Sequence, residues 1–543
     1  MKNRVIWKRP GNITGERPAG SHRSLIGKRG SFRCKIRSLL VVTIYLVLLF
    51  PLYLEGSDEN IDPASWVYPA LRSFELLGTV TLEPDIPYSR SEVEFYLDRI
   101  LQNLDRRDFK LSSRHRFLLR RLRAEFQGNR HRPQDREDEP GLLYGVGRRF
   151  IGLDLSAGPF FRKRVENNKG ELDGLFIPEF LLYTGGKLTY HTSYILRMEP
   201  ERGKNTAGAK PSTRQRSFRG LTSEFERGYL AFSTGRLRIV AGREYLHWGN
   251  SRDDGLILSM GAGSLDHVGV YYQLGRFEFT TVHSVLDPYL ERRLAGHRLT
   301  VRLPGDIYLG ISETVLYTGR GFDYTYLLPA GSYYANQYNE RSDDNILWGL
   351  DCKVPAGRGA VLYAELVVDD FQYEGRKEAP DKIGFSLAAE KLFVAAGYDL
   401  ELTVDYTFID IYTYSHKDSL LTRYVAGSGE IGANGIIGSS LGPDSERWRF
   451  RAAAGIHPRM LLAVEGGYTR RGEGNDFRPW NNGIDPSPPF PSGTVTTETR
   501  LSVSASFDLG SGSYISGGAG IRRIDDGSVE TDRFVHLGFI LDI

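Results

Sequence analysis

The sequence predicts a mainly β protein: a large antiparallel transmembrane β-barrel of about 16–18 strands with a small N-terminal helical domain. Three observations predict it. After Gly141, apolar residues recur with a period of two over about 400 residues, more than one ordinary β-sandwich needs. The opposite faces of these strands carry small and charged residues together, as a water-filled lumen would. Short turns alternate with long polar loops, as in outer-membrane barrels.

Composition agrees with extended structure. The 543 residues include 61 Gly, 30 Tyr and 28 Phe, a balance that suits twisted strands better than helix. The formal net charge of +3 gives no polyelectrolyte preference, and no nucleic-acid partner is expected. The two cysteines are Cys34 and Cys352. If Cys34 leaves with a leader, an intrachain disulfide is excluded, and a thiolate zinc site would need more cysteines. No cofactor or metal is expected.

The elements follow in chain order. Residues 1–56 read as an export leader: LLVVTIYLVLLFPLYL (Leu39 to Leu54) follows Arg29, Arg33, Lys35 and Arg37. A basic flank before a short apolar core is the form of a signal peptide, and sixteen residues interrupted by Pro51 are short for a spanning helix of about 20. Residues 57–127 have helical period. Tyr68-Pro69 opens a helix whose Leu71, Phe74 and Leu77 share a face, and Gly78 stops it. Ser89 and Glu92 form a capping box ahead of Val93, Tyr96, Leu97, Ile100, Leu101 and Leu104. A third helix from Ser113 carries Leu118, Leu119, Leu122 and Phe126. Residues 128–140 (GNRHRPQDREDEP, with Gly141 following) read as a charged linker, and 141–543 as the barrel.

Within the barrel, Trp448, Phe450, Ala452, Ala454 and Ile456 share one face and Arg447, Arg449 and Arg451 the other, before a tight connection at His457-Pro458-Arg459. Leu501, Val503, Ala505, Phe507 and Leu509 alternate with polar residues up to Gly510-Ser511-Gly512. Leu299, Val301 and Leu303 oppose Arg298, Thr300 and Arg302. The long loops include Glu199 to Gly220 and Arg478 to Val495. In RFVHLGFILDI, Val535, Leu537, Phe539, Leu541 and Ile543 face one way; a barrel must pair such a last strand with its first, because an open edge in lipid leaves backbone groups unsatisfied. His536 to Ile543 also resembles the C-terminal signal read by the barrel assembly machinery, with an aliphatic final residue where an aromatic is usual.

One stretch carries a family resemblance. AGREYLHWGNSRDDGLILS, Ala241 to Ser259, resembles the signature of the Wzi-type capsule assembly proteins. Gly242, Trp248, Gly249 and Gly255-Leu256-Ile257-Leu258-Ser259 match, while His247 and Asn250 depart from a usual second tryptophan and proline. The stretches from HRLTVRLPGDIYLGISETVLY through DDNILWGLD to ELVVDDFQYEG, and the helices YPALRSFELLG and PYSRSEVEFYL, are similar to divergent members. The resemblance implies an outer-membrane barrel with a periplasmic helical bundle that holds capsular or related exopolysaccharide in a lectin-like role. It does not imply an enzyme. The partners it implies are surface polysaccharide, outer-membrane lipid and lipopolysaccharide. The rival functions are a general or sugar-selective diffusion porin and a barrel enzyme.

Sugar sites combine aromatic faces with planar polar side chains. Tyr245, His247, Trp248, Asn250, Arg252, Asp253 and Asp254 form such a mixture within ten residues, and Trp480 with Asn481 and Asn482 forms another. The alternative is that Tyr245 and Trp248 belong to an interfacial aromatic girdle. The arginine- and lysine-rich loop from Arg197 to Arg219 suits an anionic polysaccharide or lipopolysaccharide phosphates. Asp343-Asp344 and Asp369-Asp370 are adjacent, so in extended chain they point apart and do not read as metal or proton-sharing pairs. His283-Ser284 lacks the other groups that a nucleophile requires.

Overall fold

The structure is a computed structural model that describes residues 58–127, 142–146, 149–164, 170–184, 188–198, 221–249, 254–327, 331–340, 342–357, 359–370, 380–416, 420–427, 435–477, 479–480, 487–510 and 513–542. The leader, the linker, the 199–220 loop and Ile543 lie outside these residues.

Three helices come first: α1 (Val67–Leu77), α2 (Arg90–Arg106) and α3 (Ser113–Phe126). Gly78 ends α1 in the left-handed region, φ 83°, where a side chain would be strained. Ser89 caps α2 by accepting from the Glu92 N–H, and the Glu92 carboxylate accepts from the Ser89 N–H at 2.5 Å, which completes the capping box. Ser112 caps α3. The stripes of all three helices are buried together and against barrel residues Val361, Tyr363 and Leu392.

The strands are β1 (Leu142–Val146), β2 (Arg149–Arg164), β3 (Gly170–Thr184), β4 (Leu188–Met198), β5 (Leu221–Thr234), β6 (Leu237–Glu244), β7 (Leu265–Leu274), β8 (Phe277–Asp287), β9 (Arg292–Leu303), β10 (Ile307–Tyr317), β11 (Asn345–Pro355), β12 (Ala360–Asp370), β13 (Lys382–Ala395), β14 (Tyr398–Ile409), β15 (Ser445–His457), β16 (Met460–Arg471), β17 (Thr496–Gly510), β18 (Ser513–Asp525) and β19 (Val529–Asp542). A fourth helix, α4 (Tyr333–Glu340), lies between β10 and β11. The described residues thus hold one 19-stranded sheet in which sequence neighbours pair antiparallel. β19 pairs back with β2, Leu537 opposite Phe161 and Asp542 opposite Ser156, so the last strand is tied into the ladder as expected. β1 is a short arm that pairs with the start of β2, opposite Arg149 to Leu153.

The alternation fixes two faces. Leu350, Val404, Trp448, Phe450, Leu501, Val503 and Leu537 are exposed on the outside, forming the apolar band that a lipid-facing wall requires. Arg298, Asp351, Lys353, Glu365 and Glu390 are buried on the inside. No helix among the described residues is long and apolar enough to cross a membrane.

The helices sit at the short-turn mouth. Ser113 N–H donates to the Gly397 carbonyl in the β13–β14 turn, and Arg121 pairs with Asp508 near the β17–β18 turn. Arg72 of α1 pairs with Glu75 and with Glu390 of β13, and Glu75 takes Lys353 of β11 at 2.5 Å.

Candidate functional site

The lumen is occupied from both ends. From the short-turn mouth, the segment after α1 climbs inside the wall. Lys353 Nζ donates to the Leu82 carbonyl at 2.8 Å. Asp85 accepts from Arg298 Nε at 2.7 Å and from the Gly249 N–H at 3.1 Å. Arg298 turns its other nitrogens to Asp351, at 2.5 and 3.1 Å. Burial lifts the Asp85 carboxyl above its ordinary range, with Asp351 adding to the rise and Arg298 opposing it. Burial and the neighbouring Glu92 push Glu83 up to about 7.

From the other end, the β6–β7 connection folds inward. His247 and Ile86 exchange backbone hydrogen bonds at 3.1 and 3.2 Å, so an inward loop and the helical segment meet as a two-residue antiparallel bridge. Above that bridge is an apolar core: Trp248, Leu256, Ile257 and Leu258 pack with Leu294, Leu316, Leu347 and Val367 of the wall and with Tyr414, Tyr424, Ile437 and Leu441 of the β14–β15 connection. The signature residues Gly255 to Ser259 are therefore the interior of a plug. Gly255 is required by close approach, since a Cβ there would lie 2.7 Å from the Leu258 carbonyl oxygen and 2.9 Å from that of Trp248. Gly249 has φ 102°, and its Cβ would lie 2.7 Å from a Glu365 oxygen. Glu365 accepts from the Leu256 N–H at 3.0 Å, and Ser259 Oγ donates to the Gly438 carbonyl at 2.6 Å.

The sequence-predicted site residues fall as follows. Tyr245 is buried, its hydroxyl donating to Glu226 at 2.6 Å. His247 and Trp248 are buried in the bridge and the core. Asp254 is buried, accepting from Ser439 Oγ at 2.9 Å, Ser440 N–H at 2.5 Å and Arg447 at 2.6 Å. The four are buried at separate contacts rather than gathered in one site, so neither a lipid-facing girdle nor an open sugar platform describes Tyr245 or Trp248. Asn250, Arg252 and Asp253 lie outside the described residues, as do Asn481 and Asn482. Trp480 is half-buried, on a different connection.

Asp343 and Asp344 part as expected. Asp343 faces His416 at 3.2 Å, while Asp344 takes both terminal nitrogens of Arg320, at 2.9 and 2.6 Å. Asp369 accepts from the Tyr414 N–H at 2.7 Å. His283 Nε2 donates to the Tyr326 carbonyl at 2.9 Å, whereas Ser284 Oγ donates to the Asp266 carbonyl. Among the described residues no group of three or more His, Cys, Asp or Glu could hold a metal ion.

The other side of the lumen is polar, as the alternation of Arg447, Arg449 and Arg451 indicated. A cavity of about 400 Å³ is lined by five arginines and five carboxylates, with Ser386, Thr403, Thr469 and Ser502 between them. Arg449 pairs with Asp405 at 2.8 Å, Arg451 with Glu465 at 3.0 Å and Arg471 with Glu498 at 3.4 Å. At one end Arg447 is tied to Asp254, and at the other Glu390 is tied to Arg72 of α1. Such a lining of paired ions and hydroxyls suits water or a polyhydroxylated ligand. Sequence reasoning missed the Asp85–Arg298–Asp351 strut. Asp85 and Arg298 are 213 positions apart, and no local pattern joins them.

A sequence profile of the family described as capsule assembly protein Wzi matches residues 163–533. No curated protein matches the chain by sequence. Among solved structures, the Wzi outer-membrane protein of Escherichia coli, described as a carbohydrate-binding β-barrel involved in group 1 capsule assembly, aligns with TM-score 0.58 at 13% identity. The alignment covers 90% of this chain and 99% of that one. A BenF-like porin from Pseudomonas fluorescens aligns with TM-score 0.43 at 10% identity, over 72% of this chain and 99% of the porin. The outer-membrane protein OpdK of Pseudomonas aeruginosa aligns with TM-score 0.41 at 12% identity, over 72% and 99%.

Proposed function

The chain belongs to the Wzi family of capsule assembly proteins, and from that premise we propose that it works in the outer membrane, retaining or assembling capsular or related exopolysaccharide by binding it. The long connections face outward and the helical domain, residues 57–127, faces the periplasm. No chemical step is assigned to it. The observation that carries this reading over a diffusion porin is the filled lumen: an apolar core and a backbone bridge stand where a porin keeps water.

The glycan contact is proposed for the segment from Tyr245 to Asp254 and for Trp480. Tyr245, His247, Trp248 and Asp254, being buried, hold that segment in place. Direct contact falls to Asn250, Arg252 and Asp253 and to the half-buried ring of Trp480. Binding of the refolded full chain to an array of bacterial polysaccharides tests this. Trp480→Ala is expected to lower the affinity for the bound glycan by about fivefold or more, in line with the worth of one aromatic contact. Absence of binding to every polysaccharide, with steady ion conduction by the same preparation, would return the porin reading.

A further inference from the structure

The described residues of the connection between β10 and β11 (318–327, 331–340 and 342–344) fold over the outside of the barrel. Register and exposure show this. Ile311 and Leu350 are opposite each other and exposed, so odd positions of β10 face outward. Glu313, Val315 and Tyr317 continue that face, with His297 and Ala295 opposite on β9 and Trp348 and Ile346 on β11. Tyr326 and Tyr333 of the connection bury Ala295, Val315, Tyr317 and Ile346 in a separate apolar cluster. Glu313 accepts from the Tyr333 and Tyr334 N–H groups at 2.9 and 3.0 Å, from Trp348 Nε1 at 3.0 Å and from His297 at 3.2 Å.

The height of this lobe matters. Glu313 stands seven positions beyond Asp306 in the β9–β10 turn. At about 3.4 Å per residue and a tilt of about 40°, that is about 18 Å above the turn, within an apolar band about 25 Å tall. Further round the barrel the bare wall reaches the same height: on β14, Leu400, Leu402 and Val404 are exposed, Val404 standing eight positions beyond Ala396. A carboxylate cannot face acyl chains at such depth without large cost. The lobe therefore takes the place of outer-leaflet lipid against β9–β11, and its own outer surface meets the leaflet. That surface is aromatic: Tyr324 is 77% exposed, Tyr338 78% and, on the adjoining β8–β9 hairpin, Tyr289 94%. At the start of β9, Arg293 donates to the carbonyls of Glu291 in the hairpin and Arg320 in the lobe and pairs with no carboxylate among the described residues.

Tyrosine rings with wet hydroxyls belong at headgroup level, where they also stack on sugar rings; a guanidinium bound only by carbonyls retains its charge for a phosphate. We propose that this lobe, with the Tyr289 hairpin, is a lateral binding surface for the phosphorylated sugar headgroup of an outer-leaflet glycolipid. This rests on the orientation adopted above, and it deepens that reading: a saccharide is held beside the barrel through its lipid-anchored end, not threaded through it.

The test uses the full-length chain in detergent, with purified lipopolysaccharide and phosphatidylglycerol as probes and soluble polysaccharide as a parallel ligand. Wild-type protein is expected to prefer lipopolysaccharide. Tyr324→Ala with Tyr338→Ala should weaken that binding at least about fivefold, Arg293→Gln should remove its salt-sensitive part, and Leu501→Ala on the opposite wall should change nothing. The substituted tyrosines are exposed, and retention of heat-modifiable migration certifies the fold. Loss of glycolipid binding with polysaccharide binding intact supports the proposal. Equal affinity of wild type and double variant for lipopolysaccharide overturns it, whatever the polysaccharide does, and so does wild-type binding of phosphatidylglycerol with equal affinity.

Discussion

His115 shows how a single residue in the helical domain sets a pH limit. Its ring lies within α3 with Ser112 Oγ at 2.7 Å from Nδ1 and Ser73 Oγ at 3.1 Å from Nε2, against the edge of Phe74. Burial depresses its pKa from 6.5 to about 4, so the folded domain holds the neutral ring. Between those two values the unfolded chain binds a proton that the folded chain refuses. The stabilisation is therefore fully present above about pH 6.5 and is lost as the pH falls toward 4, by an amount on the order of 3 kcal/mol. Glu83, raised to about 7, acts with opposite sign: its burial costs least below its unfolded pKa, and the cost grows as pH rises through about 7. The two effects oppose each other over nearly the same window, so the readout is the difference between variant and wild type: in thermal unfolding followed by helical circular dichroism, His115→Gln should gain stability relative to wild type as the pH falls from 6.5 to 4. A difference that does not change with pH would assign the acid sensitivity elsewhere.

At the scale of elements, residues 245–249 and 254–259 form a structural plug whose worth can be measured. Trp248 fills space against Gly296, where a Cβ would come 2.8 Å from its ring carbon Cη2. Trp248→Ala should leave a cavity beneath the loop and destabilise the barrel by about 3–5 kcal/mol in urea unfolding from vesicles. A change below about 1 kcal/mol would show that the indole is not packed as described. The helices were legible in the sequence because their signals are local: Gly78 at a C-cap, Ser89 with Glu92 at an N-cap, and stripes at 3.6-residue spacing. The two faces of β15 were legible because the period of two is local as well. What the 245–254 residues do was not legible. Aromatic and polar residues mixed in a loop have the same composition whether they meet a sugar or a neighbouring loop. The choice was made by Ile86, Glu365 and Ser439, each more than 100 positions away in the chain. The outward fold of the described residues between β10 and β11 was hidden for the same reason: it rests on the register of Glu313 with His297 and Trp348, which no local pattern shows.

For the molecule as a whole, the contacts that fill the lumen form two layers in series. The lower layer is ionic and backbone-bonded: Asp85 on Arg298 and Gly249, and Ile86 on His247. The upper layer is the apolar core around Leu256 and Leu258. Ions need a continuous wet path, and the polar cavity beside these layers is bounded by the Arg447–Asp254 and Arg72–Glu390 ion pairs, so removing the Asp85 charge alone is expected to leave the barrel closed. In planar bilayers the wild-type chain should show no steady conductance steps, and Asp85→Ala should remain closed. Asp85→Ala combined with Leu256→Ser and Leu258→Ser wets both layers and should produce discrete openings, provided the protein still migrates as a heat-modifiable barrel. Porin-like steps from wild type would mean that the lumen contacts do not persist in the membrane. Openings from Asp85→Ala alone would mean that the upper core is no barrier, and the strut from the helical domain would then be the gate.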